Sequence, residues 1–189
     1  MSSESLAAPN ASAPVRGTRS GRWHLLVPAV VGVVVLAFAT MSFGRAVVSA
    51  VAAGVLLVLA TIDVERGIIP NRIVLPAAAV VLLANIAVVP SRAGEWVLAA
   101  LISGVVLSLP ALFGRNWMGM GDAKLAILIG AALGWGVTGA LLLGLVCSFP
   151  AALFVVGRGG VAARKSTIPF GPFLVAGALI VMFAPHIFS

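Results

Sequence analysis

Long apolar segments recur along most of this chain, at residues 25–43, 46–62, 73–89, 96–113, 123–157 and 168–188. A helix that crosses a bilayer needs about 20 predominantly apolar residues, at about 1.5 Å per residue. The fifth segment is too long for one crossing, and Gly134-Trp135-Gly136 divides it into two. The pattern therefore predicts an all-α, polytopic transmembrane helical bundle with about seven crossings.

The composition supports a membrane protein with a single bundle. Hydrophobic residues make up 61% of the chain and charged residues 9%, which no soluble domain of this size would carry. Short alternating segments, typical of a β-barrel, are not visible. Residues 1–22 are rich in Ser, Ala, Pro, Gly and Arg and predict a disordered tail. Residues 23–189 form the predicted transmembrane domain.

The basic residues predict the orientation of this bundle. With the N-terminus in the cytoplasm, ten of the 12 Lys and Arg residues fall on the cytoplasmic side. These are Arg16, Arg19, Arg22, Arg66, Arg72, Arg115, Lys124, Arg158, Arg164 and Lys165, against Arg45 and Arg92 outside. The basic residues behind the net charge of +7 would thus orient the bundle in the membrane and contact anionic lipid. The sequence shows no basic face with stacking aromatic residues, so we do not expect a nucleic-acid partner.

The first apolar segment has an alternative interpretation. Ala37-Phe38-Ala39 follows a basic region and an apolar run, as a signal-peptidase site does. The run continues past this site, which favours a retained helix. Whether residues 25–43 are retained or cleaved stays open at this stage.

Two of the five acidic residues stand at the edges of apolar segments. Asp63 follows the second segment, and Asp122 follows Gly119-Met120-Gly121 at the start of the fifth. Simpler interpretations are a helix-end charge for Asp63, paired with Arg66, and a helix N-cap for Asp122. Carboxylates at a membrane boundary are nevertheless costly, so the pair favours a functional interpretation. The predicted topology places both at the cytoplasmic side.

Paired aspartates suit peptide hydrolysis. One carboxylate must be ionised to activate water, and the other must be protonated to hydrogen-bond the scissile carbonyl. Because two like charges in close proximity cannot both ionise easily, such a pair shares one proton. Glycines beside Asp122 would let the backbone approach an extended peptide closely.

Three blocks in this order resemble the type IV prepilin peptidases, polytopic GxGD aspartyl proteases of bacteria. The blocks are Asp63 with Ile69-Pro70-Asn71, then Gly119-Met120-Gly121-Asp122-Ala123-Lys124-Leu125, then Ile168-Pro169-Phe170-Gly171-Pro172-Phe173-Leu174. The resemblance implies a catalytic dyad of Asp63 and Asp122. It also implies a multi-pass protein of the bacterial inner membrane, a cytoplasmic active site, and precursor substrates with a basic leader followed by an apolar helix.

The resemblance gives supporting roles to the other matched residues. Gly119 and Gly121 would shape the backbone around Asp122, and Pro70 and Asn71 would set the turn after the first aspartate's helix. The entry of the last helix, bordering the cleft, would be formed by Pro169, Phe170, Gly171 and Pro172. Lys124 matches the same pattern without an assigned role, and a snorkelling interfacial lysine is the simpler interpretation.

Two departures from the family pattern lead to further expectations. Bifunctional members carry a methyltransferase part with paired cysteines, whereas this sequence has one cysteine, Cys147. We therefore expect cleavage without N-methylation, and neither a metal site nor a cofactor. The family core has six crossings, so residues 25–43 would add one N-terminal helix to it.

Two functions other than a peptidase remain possible from the sequence alone. A small ion or proton transporter would also place aspartates in a bundle, but it does not account for the proline-containing blocks. An inactive assembly subunit would keep the fold without cleavage. The particular precursor, the machine it serves (a pilus, a secretion system or a DNA-uptake apparatus) and the oligomeric state are not predicted.

Overall fold

The computed structural model describes residues 23–113, 120–159 and 170–184. These residues form seven α-helices and two 3₁₀ turns, with no β-strand among them. The helices are α1 Trp23–Thr40, α2 Phe43–Arg66, α3 Asn71–Val88, α4 Ala93–Phe113, α5 Met120–Leu133, α6 Val137–Gly159 and α7 Gly171–Phe183. The turn Pro90–Arg92 joins α3 to α4, and Gly134–Gly136 joins α5 to α6. The predicted tail at 1–22 lies outside the described residues.

Several helices are suited to a bilayer. Phe43–Arg66, Asn71–Val88, Pro90–Leu109 and Gly121–Pro150 are long and apolar enough to cross a membrane, and Leu26–Thr40 and Gly171–Phe183 are shorter apolar helices. Large apolar side chains lie exposed on the outer faces, among them Leu83 and Phe149. The prediction of an all-α polytopic membrane bundle is confirmed, while the number of crossings remains a prediction.

Helix α5 occupies the centre of the bundle. It packs extensively against α4 and α3, and it also contacts α2, α6 and α7. Its side chains Leu125, Leu128 and Ile129 are fully buried. Two polar side chains bind its backbone from neighbouring helices: Asn85 Nδ2 donates to the Ala131 carbonyl at 2.9 Å, and Ser103 Oγ donates to the Ala126 carbonyl at 2.9 Å.

Glycine allows α4 and α5 to approach closely. A Cβ placed on Gly130 would lie 2.7 Å from both Ala100 Cα and the Ala99 carbonyl oxygen. Backbone atoms cannot move aside as a side chain can, so this contact requires glycine. Small residues at such crossings are the usual way for membrane helices to pack.

We therefore expect Gly130→Ala to destabilise the bundle by about 1–3 kcal/mol, the usual cost of overpacking. Thermal unfolding in detergent micelles would measure this loss. Gly54→Ala is a matched control, because a Cβ at Gly54 meets nothing within 4 Å and alanine favours the helix. Equal melting temperatures for the two variants would contradict the proposed packing.

The 3₁₀ turn at Gly134–Gly136 coincides with the predicted division of the fifth apolar segment. Gly134 has φ +59°, a left-handed conformation that favours glycine. Glu95 accepts a hydrogen bond from the Trp135 N–H at 3.4 Å and forms an ion pair with Arg92 at 2.7 Å. This polar contact fixes the turn against the start of α4.

The described basic residues divide between the two ends of the bundle. Arg45 and Arg92 line one cavity of about 480 Å³ near the end of α7. Arg66 ends α2, Arg72 lies at the start of α3, and Lys124 lies near the start of α5, which places them at the opposite end. This division agrees with the two sets that the charge count separated. Which end faces the cytoplasm remains a prediction.

Candidate active site

Asp63 lies in the last turn of α2. The helix ends at Arg66 because Gly67 adopts the left-handed conformation (φ 65°), and the Gly67 N–H donates to the Asp63 carbonyl at 2.7 Å. The Asp63 residue is only 6% exposed. Within the described ranges the only ion pair joins Arg92 and Glu95, so Asp63 is not an exposed helix-end charge paired with Arg66.

One carboxylate oxygen of Asp63 lies against the first turn of α7. A Cβ placed on Gly171 would lie 2.5 Å from Asp63 Oδ2 and 3.1 Å from its carboxyl carbon. This oxygen is buried and has no hydrogen-bond partner among the described residues. A buried polar atom without a partner costs free energy.

Asp122 lies in the first turn of α5 and is partly exposed. The residue before it, Gly121, packs against Ile69, which lies six residues after Asp63, so both aspartates lie at the same end of the bundle. The two aspartates thus come from the end of one helix and the start of another that packs against it. A shared position at one end of the bundle is the arrangement that a carboxylate pair requires.

Contacts between the sequence blocks hold this arrangement. A Cβ on Gly121 would lie 3.2 Å from the Ile69 side chain, so Gly121 permits close packing of the α2–α3 connection against α5. Lys124 Nζ donates to Asn71 Oδ1 at 2.6 Å and links the start of α5 to the start of α3. Lys124 therefore has a described hydrogen-bond partner, and its role stays a prediction.

The remaining predicted site residues lie near these contacts or outside the described ranges. Pro70 precedes α3 and its carbonyl accepts from the N–H groups of Ile73 and Val74. Phe170 precedes α7, and Pro172 is its second residue. Gly119 and Pro169 lie outside the described residues. The three sequence blocks thus come together around Asp63 wherever they are described.

Two contributions were not predicted from the sequence. Gly67 ends α2 one turn after Asp63, and a glycine after a helix-end basic residue is a recognisable C-cap signal. Ile69 packs on Gly121, and the sequence offers no signal for this contact beyond the place of Ile69 beside Pro70.

No group of three or more His, Cys, Asp or Glu side chains that could hold a metal ion occurs in the described parts of the chain. The absence of a metal site stays a prediction.

The fold and the site together define a polytopic helical membrane protein with a carboxylate pair at one end of its bundle. A sequence model of the type IV leader peptidase family matches residues 50–157, a range that includes both aspartates. This chain belongs to that family.

Curated relatives support the same assignment. Prepilin leader peptidase/N-methyltransferase of Aeromonas salmonicida is 31% identical over 180 residues, covering 89% of this chain and 60% of the relative. Those of Pseudomonas putida and Burkholderia pseudomallei are 31% and 30% identical, covering 71% and 68% of this chain and 49% and 43% of the relatives. The chain thus spans 60% or less of the length of these relatives. No solved structure matches it significantly.

Proposed function

We propose that this protein is a membrane aspartyl endopeptidase that cleaves the leader peptide of type IV prepilin-like precursors. The observation that carries the proposal is the position of Asp63 and Asp122 at the same end of the bundle, on helices that pack against each other. Asp63 is buried at the end of α2 with its carboxyl group against Gly171, and Asp122 lies in the first turn of α5, at the same end of the bundle. The family membership of the chain supports the class of substrate.

The proposed chemistry uses both carboxyl groups. The ionised aspartate removes a proton from water while the water oxygen attacks the scissile carbonyl carbon. The protonated aspartate hydrogen-bonds the carbonyl oxygen and stabilises the charge that develops there. When the C–N bond breaks, the leaving amine receives a proton from the pair. A shared proton allows either aspartate to take either role.

We further propose that the site faces the cytoplasm of a bacterial cell, at the surface of the inner membrane. The excess of Lys and Arg on one side supports this orientation. The basic leader of the precursor would lie on that side, with the scissile bond at the junction to its apolar helix.

We propose that these 189 residues cleave without N-methylating the product, because they contain only one cysteine, Cys147. The protein would be purified into lipid nanodiscs and incubated with a synthetic precursor and a methyl donor. Mass spectrometry would show a leader-free product with an unmodified N-terminus. An uncut precursor would overturn the peptidase proposal, and a methylated product would overturn only the second part. Proton or cation flux in liposomes without cleavage would favour a transporter.

The link between Lys124 and Asn71 predicts coupled effects on cleavage. We expect Lys124→Met and Asn71→Ala each to lower kcat/KM by about 2- to 10-fold, the worth of one solvent-exposed hydrogen bond. Because both variants remove the same bond, the double variant would be no slower than the worse single one. Arg72→Met is the control and would stay within about twofold of the wild type, since it leaves this bond intact. If the losses of kcat/KM in the two single variants multiply in the double variant, the two residues act independently and the proposed link is wrong.

A further inference from the structure

An apolar groove runs along the bundle from the end where α6 begins to the end that holds the aspartates. Its volume is about 440 Å³. Helix α4 forms one side, α6 the other, and the start of α7 closes the inner end; representative lining residues are Ser103, Leu107, Leu142, Leu145, Phe170 and Leu174. Apart from Ser103 and Thr138, the described side chains lining it are hydrocarbon or aromatic. The Ser103 hydroxyl already donates to backbone carbonyls.

The register of α4 against α5 places the inner end of the groove beside Asp122. Gly130 packs against Ala100, and Ser103 bonds the Ala126 carbonyl, so the two helices run antiparallel in a constant register. One turn further along α4, Leu107 lies at the level of Asp122. The inner end of the groove therefore lies at the same depth in the bundle as Asp122.

The start of α7 links the same end of the groove to Asp63. Phe170 lines the groove, and the next residue, Gly171, lies against Asp63 Oδ2. The inner end of the groove is therefore one residue along the chain from the contact with the carboxyl group of Asp63. The groove extends outward to Trp135. From Trp135 to Leu145 the rise of α6 is about 15 Å, half of a bilayer's hydrocarbon core.

We propose that this groove binds the apolar helix of the precursor, with the N-terminal end of that helix beside Leu107 and Phe170. The inference rests on the proposed peptidase function. The substrate places its scissile bond immediately before its apolar helix, so the helix must begin at the level of the aspartates and run away from them. The groove has this direction, this apolar lining and this starting point. Ile102, Val106, Leu142 and Leu145 present large exposed side chains to the incoming helix.

Leu142→Trp tests the proposal by filling the groove. It is expected to lower kcat/KM for the precursor by about tenfold, mainly through a higher KM, which is the cost of losing one well-packed interface contact. Leu83→Trp is the matched control, because Leu83 is similarly exposed on α3 and does not line the groove. It is expected to stay within about twofold of the wild type. Equal kinetics for the two variants would overturn the proposal.

Photo-cross-linking decides the question even where a variant is unstable. A photoreactive phenylalanine analogue at Leu142, in an Asp122→Asn background that keeps the precursor uncut, is expected to capture the precursor through its apolar helix. The analogue at Leu83 would not. Capture only of lipid or of a second copy of this chain would overturn the groove proposal. Failure of the wild-type protein to cleave would instead overturn the peptidase function, which these cross-links do not measure.

Discussion

Asp63→Asn and Asp122→Asn are each expected to abolish leader cleavage. An asparagine can neither remove a proton from water nor share the single proton of the pair, so each substitution removes the general acid–base chemistry. Contributions of this kind are worth about 100- to 10,000-fold in rate. Both variants keep nearly the same side-chain volume, and folding should be preserved. The measurement is the fraction of precursor converted by purified protein at equal concentration.

Glu65→Gln is the matched control for these substitutions. Glu65 lies two residues from Asp63 in the same helix turn, but it is exposed and points to another face of α2. Its substitution removes a carboxylate from the same end of the bundle without touching the pair, so its rate should match the wild type. Near-normal cleavage by either aspartate variant would refute the dyad.

Gly171→Ala is expected to reduce cleavage strongly while leaving the bundle folded. The added methyl group would lie 2.5 Å from Asp63 Oδ2, closer than real Cβ contacts allow. The carboxyl group must then rotate away from its present position against α7. A displacement of about 1 Å from reacting geometry can cost about 100-fold in rate. The same purified-protein cleavage assay would measure the loss.

Two other glycines separate loss of catalysis from loss of fold. In Gly130→Ala the added methyl group meets backbone, so the variant should melt early. In Gly54→Ala it meets nothing within 4 Å, so both stability and cleavage should be normal. Gly171→Ala should resemble Gly54→Ala in melting temperature and the Asp63→Asn variant in activity. If Gly171→Ala cleaves at the wild-type rate, Gly171 does not constrain the carboxyl group of Asp63.

The helices could be predicted from the sequence because their signals are local. Apolar runs between charged stretches gave the segments, and Gly134 between two such runs gave the break that the structure places at Gly134–Gly136. Asp63 and Asp122 were recognisable because acidic residues at the edges of apolar segments are rare. Counting the membrane crossings predicted that these two aspartates lie at the same end of the bundle.

The contacts that build the site could not be predicted in this way. Helix α5 is apolar on most of its faces, so hydrophobic periodicity does not indicate which face meets α2 or α3. The approach of Gly171 to Asp63 joins residues that are distant in sequence and depends on how α7 packs against α2. The partnership of Lys124 and Asn71 likewise depends on the helix arrangement.

The most direct test of the central claim, that Asp63 and Asp122 form one site, is a cross-link between positions 63 and 122. Asp63→Cys and Asp122→Cys would be combined in a Cys147→Ala background and treated with the shortest bifunctional thiol reagent, with intact mass as the readout. The account predicts that one reagent molecule bridges positions 63 and 122. A control pair, Glu65→Cys with Asp122→Cys, should carry separate reagents, because position 65 lies on another face of α2. The account would be contradicted if the reagent bridged only the control pair, while positions 63 and 122 each carried a separate reagent molecule.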